Sequence, residues 1–316
     1  MALTAVLMIV SGQKTAEEWK EESIALGELG KYDEAASVLE EAIRLDPEDA
    51  RAWVIKGNVL FMRGMYYEAI SALDEAIKLD PEDSRAWGKK GLVLGTQGIS
   101  DEAIYCFDEA IRLDPEYVDA WNNKGNALYY LKGNHAEAIE AFDEAIRLDP
   151  ENAAPWYNKG NALGMQGKYE ESAIAFGEAI RLYPDYAEAW YNRGNALGML
   201  GRYEEAVESF NETNRIDPQF LDAWFNKGNA LCMLGRQEDA IVAFDEAIRL
   251  DPENARVWFI KGIALYDLGM YGKAVHAFDE AIRLDDGLFY ARYKKTLALL
   301  MQVKHDLGGT GWRIMR

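Results

Sequence analysis

Two cysteines and three histidines among 316 residues leave little material for cross-links or metal chemistry. Cys106 and Cys232 stand far apart and outside any paired spacing, so neither a disulfide framework nor a zinc site is expected. A reducing compartment, the cytoplasm, fits that usage. His135, His276 and His305 have no ligand spacing with cysteine or carboxylate, and the chain lacks a phosphate-binding loop and a G-x-S-x-G elbow. No catalytic residue, metal or cofactor is therefore expected, and the chain is not read as an enzyme. Basic residues are scarce as well, 34 Lys and Arg against 54 Asp and Glu, for a net charge of −20. Such a surface repels phosphate backbones and anionic headgroups, which speaks against nucleic acid or a membrane as partner. No apolar run is long enough to cross a bilayer. Residues 1–10 (MALTAVLMIV) are apolar but have neither a basic leader nor a small-x-small site before Lys14, so they read as part of an N-terminal extension, 1–15, not a cleaved signal.

What is present in excess is regularity. Trp recurs at 19, 53, 87, 121, 156, 190, 224 and 258, at steps of 34 with one of 35. Pro47, Pro81, Pro115, Pro150, Pro184, Pro218 and Pro252 keep the same period, and only the last copy departs, with Asp286 at that place. Each unit carries two apolar runs at helical spacing, for example Trp190, Gly194 and Leu197, then Ala206, Val207, Phe210 and, after a lapse at Thr213, Ile216. Gly201 between them can take the left-handed conformation that ends a helix. The second run stops at the proline, which disfavours helical angles before it and donates no bond. Each unit is thus a helical hairpin. Gly57, Gly91, Gly125, Gly160, Gly194, Gly228 and Gly262, one turn after the Trp, face small residues such as Ala69, Ala103 and Ala206 on the second helix and permit close packing. A hairpin cannot bury its Trp and Phe alone, so stacked neighbours must supply the core.

The pattern Trp190-x2-Arg193-Gly194-x2-Leu197, Ala206-x3-Phe210, Pro218 resembles the tetratricopeptide repeat, and the resemblance covers residues 16–288. It implies an all-α fold, a right-handed α-solenoid superhelix of antiparallel helix pairs whose first helices line a concave surface that binds peptides or partner proteins. The expected organisation is an extension (1–15), eight repeats (16–49, 50–83, 84–117, 118–152, 153–186, 187–220, 221–254, 255–288), a C-terminal capping helix (289–304) and a flexible tail (305–316). One departure from the family is systematic: three residues after the Trp, where an apolar residue is usual, stand Lys56, Lys90, Lys124, Lys159, Arg193, Lys227 and Lys261. Such stems can lie along apolar surface while the charge reaches an Asp such as Asp108, Asp143 or Asp245.

On a wheel of 100° per residue, Trp, Gly and Leu share one face, and offsets two, five and nine from each Trp lie opposite. An indifferent exposed face would carry Glu, Lys, Gln and Arg. Copies four to seven instead carry Asn123 and Asn126, Asn158 and Asn161, Asn192 and Asn195, Asn226 and Asn229. An amide with donors and an acceptor can pair with the backbone of an extended peptide whatever its side chains are. The column resembles the asparagine ladder in the tetratricopeptide arm of the nucleocytoplasmic O-linked N-acetylglucosamine transferase, although nothing here supplies a catalytic domain. The repeat consensus also favours Asn at these places, where it can bond to neighbouring first helices, so clamp and scaffold both stand. Beside the amides lie Tyr157, Tyr191 and Phe225, then Tyr130, Met165, Met199 and Met233, with small Gly164, Gly198 and Cys232 between. These soft, roomy surfaces suit apolar side chains of varied shape.

The reading that follows is a protein–protein interaction scaffold that holds an extended, largely apolar segment of a partner across copies four to seven. Arg51, Arg85, Lys89 and Arg256 are too scattered for a carboxylate clamp. Two alternatives remain: a scaffold that self-associates, aided by a tail (287–316) with six Lys or Arg against one acidic residue, or the regulatory arm of a separate enzyme.

Overall fold

The computed structural model describes residues 14–307, and all regular structure in that span is helical. Seventeen helices follow one another in pairs: α1 (Ala16–Glu28) and α2 (Tyr32–Leu45), α3 (Ala50–Met62) and α4 (Tyr66–Leu79), α5 (Ser84–Thr96) and α6 (Ser100–Leu113), α7 (Val118–Asn126) and α8 (His135–Leu148). Then come α9 (Ala153–Met165) and α10 (Tyr169–Leu182), α11 (Ala187–Met199) and α12 (Tyr203–Ile216), α13 (Leu221–Met233) and α14 (Gln237–Leu250), α15 (Ala255–Asp267) and α16 (Tyr271–Leu284), and finally α17 (Phe289–Asp306). Each first helix packs on its own second helix, and the hairpins follow in series as in α-solenoids. The chain divides into two compact units, Met1–Ala162 and Leu163–Arg316. Residues 1–13 and 308–316, which hold most of the expected extension and tail, lie outside the described span.

Local chemistry sets the helix ends. Every hairpin turn has a glycine in the left-handed region, from Gly30 at φ 73° to Gly269 at φ 76°, where a Cβ would be strained. At the other end of the pair the helix stops at Asp-Pro in six copies, at Tyr183-Pro184 in copy five and at Asp285-Asp286 in copy eight. The carboxylates of Asp80, Asp114, Asp149, Asp217 and Asp251 each accept the backbone N–H two residues on. That Asx turn gives the backbone an alternative to another helical bond. Asp49, Asp83 and Asn254 then cap the next first helix.

The core belongs to phenylalanine and alanine more than to tryptophan. Phe107, Phe142, Phe244 and Phe278 are at most 2% exposed, and alanines such as Ala103, Ala138, Ala240 and Ala274 are fully buried. The glycine one turn after the Trp makes room for the phenyl ring in several copies: a Cβ on Gly228 would lie 2.4 Å from Phe244, and one on Gly194 2.7 Å from Phe210. Gly198, also inside a first helix, would place a Cβ with nothing within 4 Å. Gly228→Ala is therefore expected to cost about 1–3 kcal/mol through overpacking. Gly198→Ala should instead stabilise by about 0.5–1 kcal/mol through helix propensity. Urea unfolding followed by circular dichroism reads both, and a shift of the same sign in the two variants would contradict this assignment.

The eight tryptophans of the repeats are half-buried. In copies two to eight the indole N–H donates to the carbonyl of the proline six residues earlier, at 2.9 to 3.3 Å. Each Trp thus ties a first helix to the loop before it, a role that helical periodicity does not reveal.

Four members of the lysine column behave as their spacing suggests. Lys90 pairs with Asp74 at 2.6 Å, Lys124 with Asp108 at 2.6 Å, Lys159 with Asp143 at 2.5 Å and Lys261 with Asp245. Each ammonium also lies over the Trp of its own helix, 5.1 to 5.9 Å from the ring centroid. The same register continues into α17, where Lys295 meets Asp279 at 2.5 Å.

Two copies deviate. In copy four the extra residue of the 35-residue step is taken up by a π-helical turn, Ala127–Leu131, which continues α7. The Asn134 N–H accordingly reaches the Leu128 carbonyl, one residue further back than in the other hairpins, as in Met65 to Leu60. In copy six the lapse seen at Thr213 extends along α12, where Ser209, Thr213 and Asn214 are buried. Thr213 donates to the Ser209 carbonyl and Ser209 to that of Glu205. Both amide atoms of Asn214 have no partner.

Candidate functional site

In the first unit, α7 and α9 present the expected amides, and part of them are joined to each other. The Asn158 Nδ2 donates to Asn122 Oδ1 at 3.0 Å, so the partner of Asn158 is not the Asn123 of its own column. Asn126 Oδ1 is buried without a partner and borders a cavity of about 200 Å³ together with Asn123 and Tyr130. Tyr130 is 65% exposed and meets Tyr129 edge-on at 4.5 Å, at the π-helical turn. Tyr157 and Asn161 stand on α9, both half-buried.

In the second unit the arrangement is repeated with a wider opening. The Asn226 Nδ2 donates to Asn195 Oδ1 at 2.9 Å and to the Tyr191 hydroxyl at 3.2 Å. Burial raises the pKa of that phenol, so it remains an O–H. Asn195, Asn226 and Asn229, with Gly198, Met199 and Met233, surround a cavity of about 360 Å³. Met165, Met199 and Met233 are each 64% exposed. Asn192 lies half-buried on α11. Neither this cavity nor the one beside Asn126 is lined by a charged residue.

One expected site residue is placed elsewhere. Phe225 is 5% exposed, its ring 6.0 Å from Phe244 and covered by the Arg256 guanidinium at 4.7 Å. Its offset from Trp224 brings it to the seam between α13 and α14, so it belongs to the core and not to the open surface.

A second apolar cavity was not anticipated. In copies one and two, Ile24, Val54, Ile55, Asn58 and Met62 border about 410 Å³, with Glu28 and, from copy three, Lys89 also in the lining. The signal was available in Val54 and Ile55, apolar at the first two offsets after Trp53, where copies four to six have a polar residue at the second.

The side chains gathered here are amides, methionines and aromatic rings, with no nucleophile or metal-ligand cluster among the described residues. Burial pushes the Cys106 and Cys232 thiols up to about 11, which leaves almost no thiolate near neutral pH. Among the described residues no cluster of three or more His, Cys, Asp or Glu could hold a metal ion, and no helix is long and apolar enough to cross a membrane.

A family model for the tetratricopeptide repeat matches residues 21–84, 66–114, 89–153 and 157–219, well over half of the chain. The chain is a tetratricopeptide repeat protein. Two further models of the same repeat match 228–269 and 255–288. Among solved structures, this tetratricopeptide array is similar to the MamA protein, at 26% identity and a TM-score of 0.52, over 56% of this chain and 96% of that one. It is also similar to YrrB, described as a TPR protein with an unusual peptide-binding site, at 24% identity and a TM-score of 0.51, over 60% and 96%. A tetratricopeptide repeat protein from Parabacteroides merdae aligns at 17% identity with a TM-score of 0.55, over 79% and 98%. The last two likenesses are ones of fold. No curated protein matches the chain in sequence. Tetratricopeptide arrays are protein–protein interaction scaffolds, generally without catalytic activity of their own, and membership of the family places this protein in that class.

Proposed function

We propose that this array holds an extended, uncharged, largely apolar segment of another protein on the asparagine-bearing face of its first helices. The observation that carries the reading is the opening around Gly198. A glycine inside a helix costs about 0.5–1 kcal/mol relative to alanine, and no internal packing requires this one, since a Cβ there would touch nothing. Two exposed methionines border the opening, and Asn195, Asn226 and Asn229 stand along it. A surface that leaves apolar area and helix stability unused in this way suits an apolar guest side chain. The amides serve both readings raised by the sequence. Asn226 spends its two donors on Asn195 and Tyr191, yet an asparagine side chain also has an acceptor with two lone pairs, so those internal bonds leave acceptor capacity for the N–H of a guest backbone. The uncharged lining, in a chain of net charge −20, favours a neutral segment over a basic one. Asn123, Asn126 and Tyr130 form a corresponding contact in the first unit. A cytoplasmic setting belongs to the same reading and draws support from the two free thiols.

Selection from a displayed library of random twelve-residue peptides tests it. Enriched sequences should be poor in charge and rich in Leu, Met or Val. Gly198→Leu should weaken their binding about tenfold or more, roughly 1.4 kcal/mol, without lowering the melting temperature. Charged winners, or equal binding by the Gly198→Leu variant, would refute the proposal. Self-association, the alternative reading, has in its favour the exposed Phe289, Tyr290 and Tyr293 on the basic helix α17. Sedimentation of the free chain at several concentrations and two salt levels separates it, because a salt-insensitive monomer leaves only the peptide-binding reading.

A further inference from the structure

One member of the lysine column has lost its carboxylate. Sixteen residues before Lys90, Lys124, Lys159, Lys261 and Lys295 stands an Asp, and each pair is closed. Sixteen residues before Lys227 stands Asn211. Among the described residues Lys227 makes no ion pair, whereas Arg193, which faces Gly177 at that register, donates to the Ser209 hydroxyl at 3.2 Å instead. Lys56 also lacks an ion pair, but it keeps a carboxylate, Glu40, at the matching position. The Lys227 stem is half-buried and its Nζ lies 4.7 Å from the Trp224 ring, the closest approach in the column. The charged groups around it are Asp239 and Arg236, at the start of α14.

We propose that Lys227 is an acylation site, whose ε-amine takes the acyl group of an activated acyl compound such as a thioester. The unprotonated nitrogen attacks the acyl carbonyl, the C–N bond forms, and the C–S bond breaks with its electron pair leaving on the thiolate. The amine proton passes to solvent. Two features favour this lysine over its counterparts. Burial lowers its pKa, Arg236 lowers it further and Asp239 partly opposes, so more of the nucleophilic amine is present near neutral pH. Acylation at Lys124 or Lys159 must also break an ion pair, and at Lys227 there is none to break.

The test is competition labelling of the full-length chain with trace acetic anhydride between about pH 7 and 10, and with acetyl-coenzyme A as thioester, read by peptide mass spectrometry. Lys227 should be acetylated roughly fivefold or more faster than Lys124, Lys159 and Lys261 at about pH 7.5. It should also be the first of these four to react with the thioester. Asn211→Asp, which rebuilds the ion pair of the other copies, should abolish the advantage without altering the helical circular dichroism. Labelling of Lys227 no faster than its paired counterparts, or a rate unaffected by Asn211→Asp, overturns the assignment.

Discussion

Phe244→Ala is expected to destabilise copy seven by about 3–5 kcal/mol, the range for truncating a fully buried aromatic, and to do so by more than Trp224→Ala. Phe244 is 0% exposed and fills the space that Gly228 leaves, so its removal opens a cavity between α13 and α14. Trp224 is the larger and more conspicuous residue, yet it is only partly buried. Its loss forfeits part of an aromatic burial and one hydrogen bond to the Pro218 carbonyl, together about 2–3 kcal/mol. In a linear array the damage falls first on the affected hairpin and its neighbours, so the unfolding transition should broaden as well as shift. Urea titrations of both variants decide the order. A Trp224 variant as damaged as the Phe244 variant would mean that the indole, not the phenyl ring, organises the hairpin.

Asn214→Ile should raise stability by about 2–4 kcal/mol. The buried amide leaves its donor and its acceptor unsatisfied, a penalty of about 1–3 kcal/mol, and the substitution adds apolar burial. Ile248 and Ile282 occupy the same register in copies seven and eight, so the side chain is one that this hairpin geometry accepts. At roughly 2–4 °C per kcal/mol for 150–250 residues, calorimetry should find a rise of several degrees. A fall in the melting temperature would show that the amide is engaged by ordered water and that the site has been shaped around it.

The repeat length, the hairpin and the family were legible in the sequence because each depends on neighbours along the chain. Gly201 and Pro218 act within a few residues of themselves, and helical spacing is a local property. The lysine pairing was legible too, since a repeat that recurs seven times fixes which second-helix position meets Lys124 or Lys159. The candidate site was legible only as a set of residues. Asn195 and Asn226 share an offset class with Asn123 and Asn229, and nothing along the chain says which amides approach closely enough to bond.

That division has one physical origin. The sequence by itself determined the elements, their order and the face each residue occupies, because propensity, turn chemistry and periodicity act over a single turn or hairpin. Only the tertiary structure decided that Phe225 is buried under Arg256, that the tryptophans hold loops, and that copy four absorbs its extra residue as a π turn beside Asn126. These depend on differences of about an ångström in the spacing between helices, set by how rings and glycines interlock, and side-chain order along one chain does not encode them.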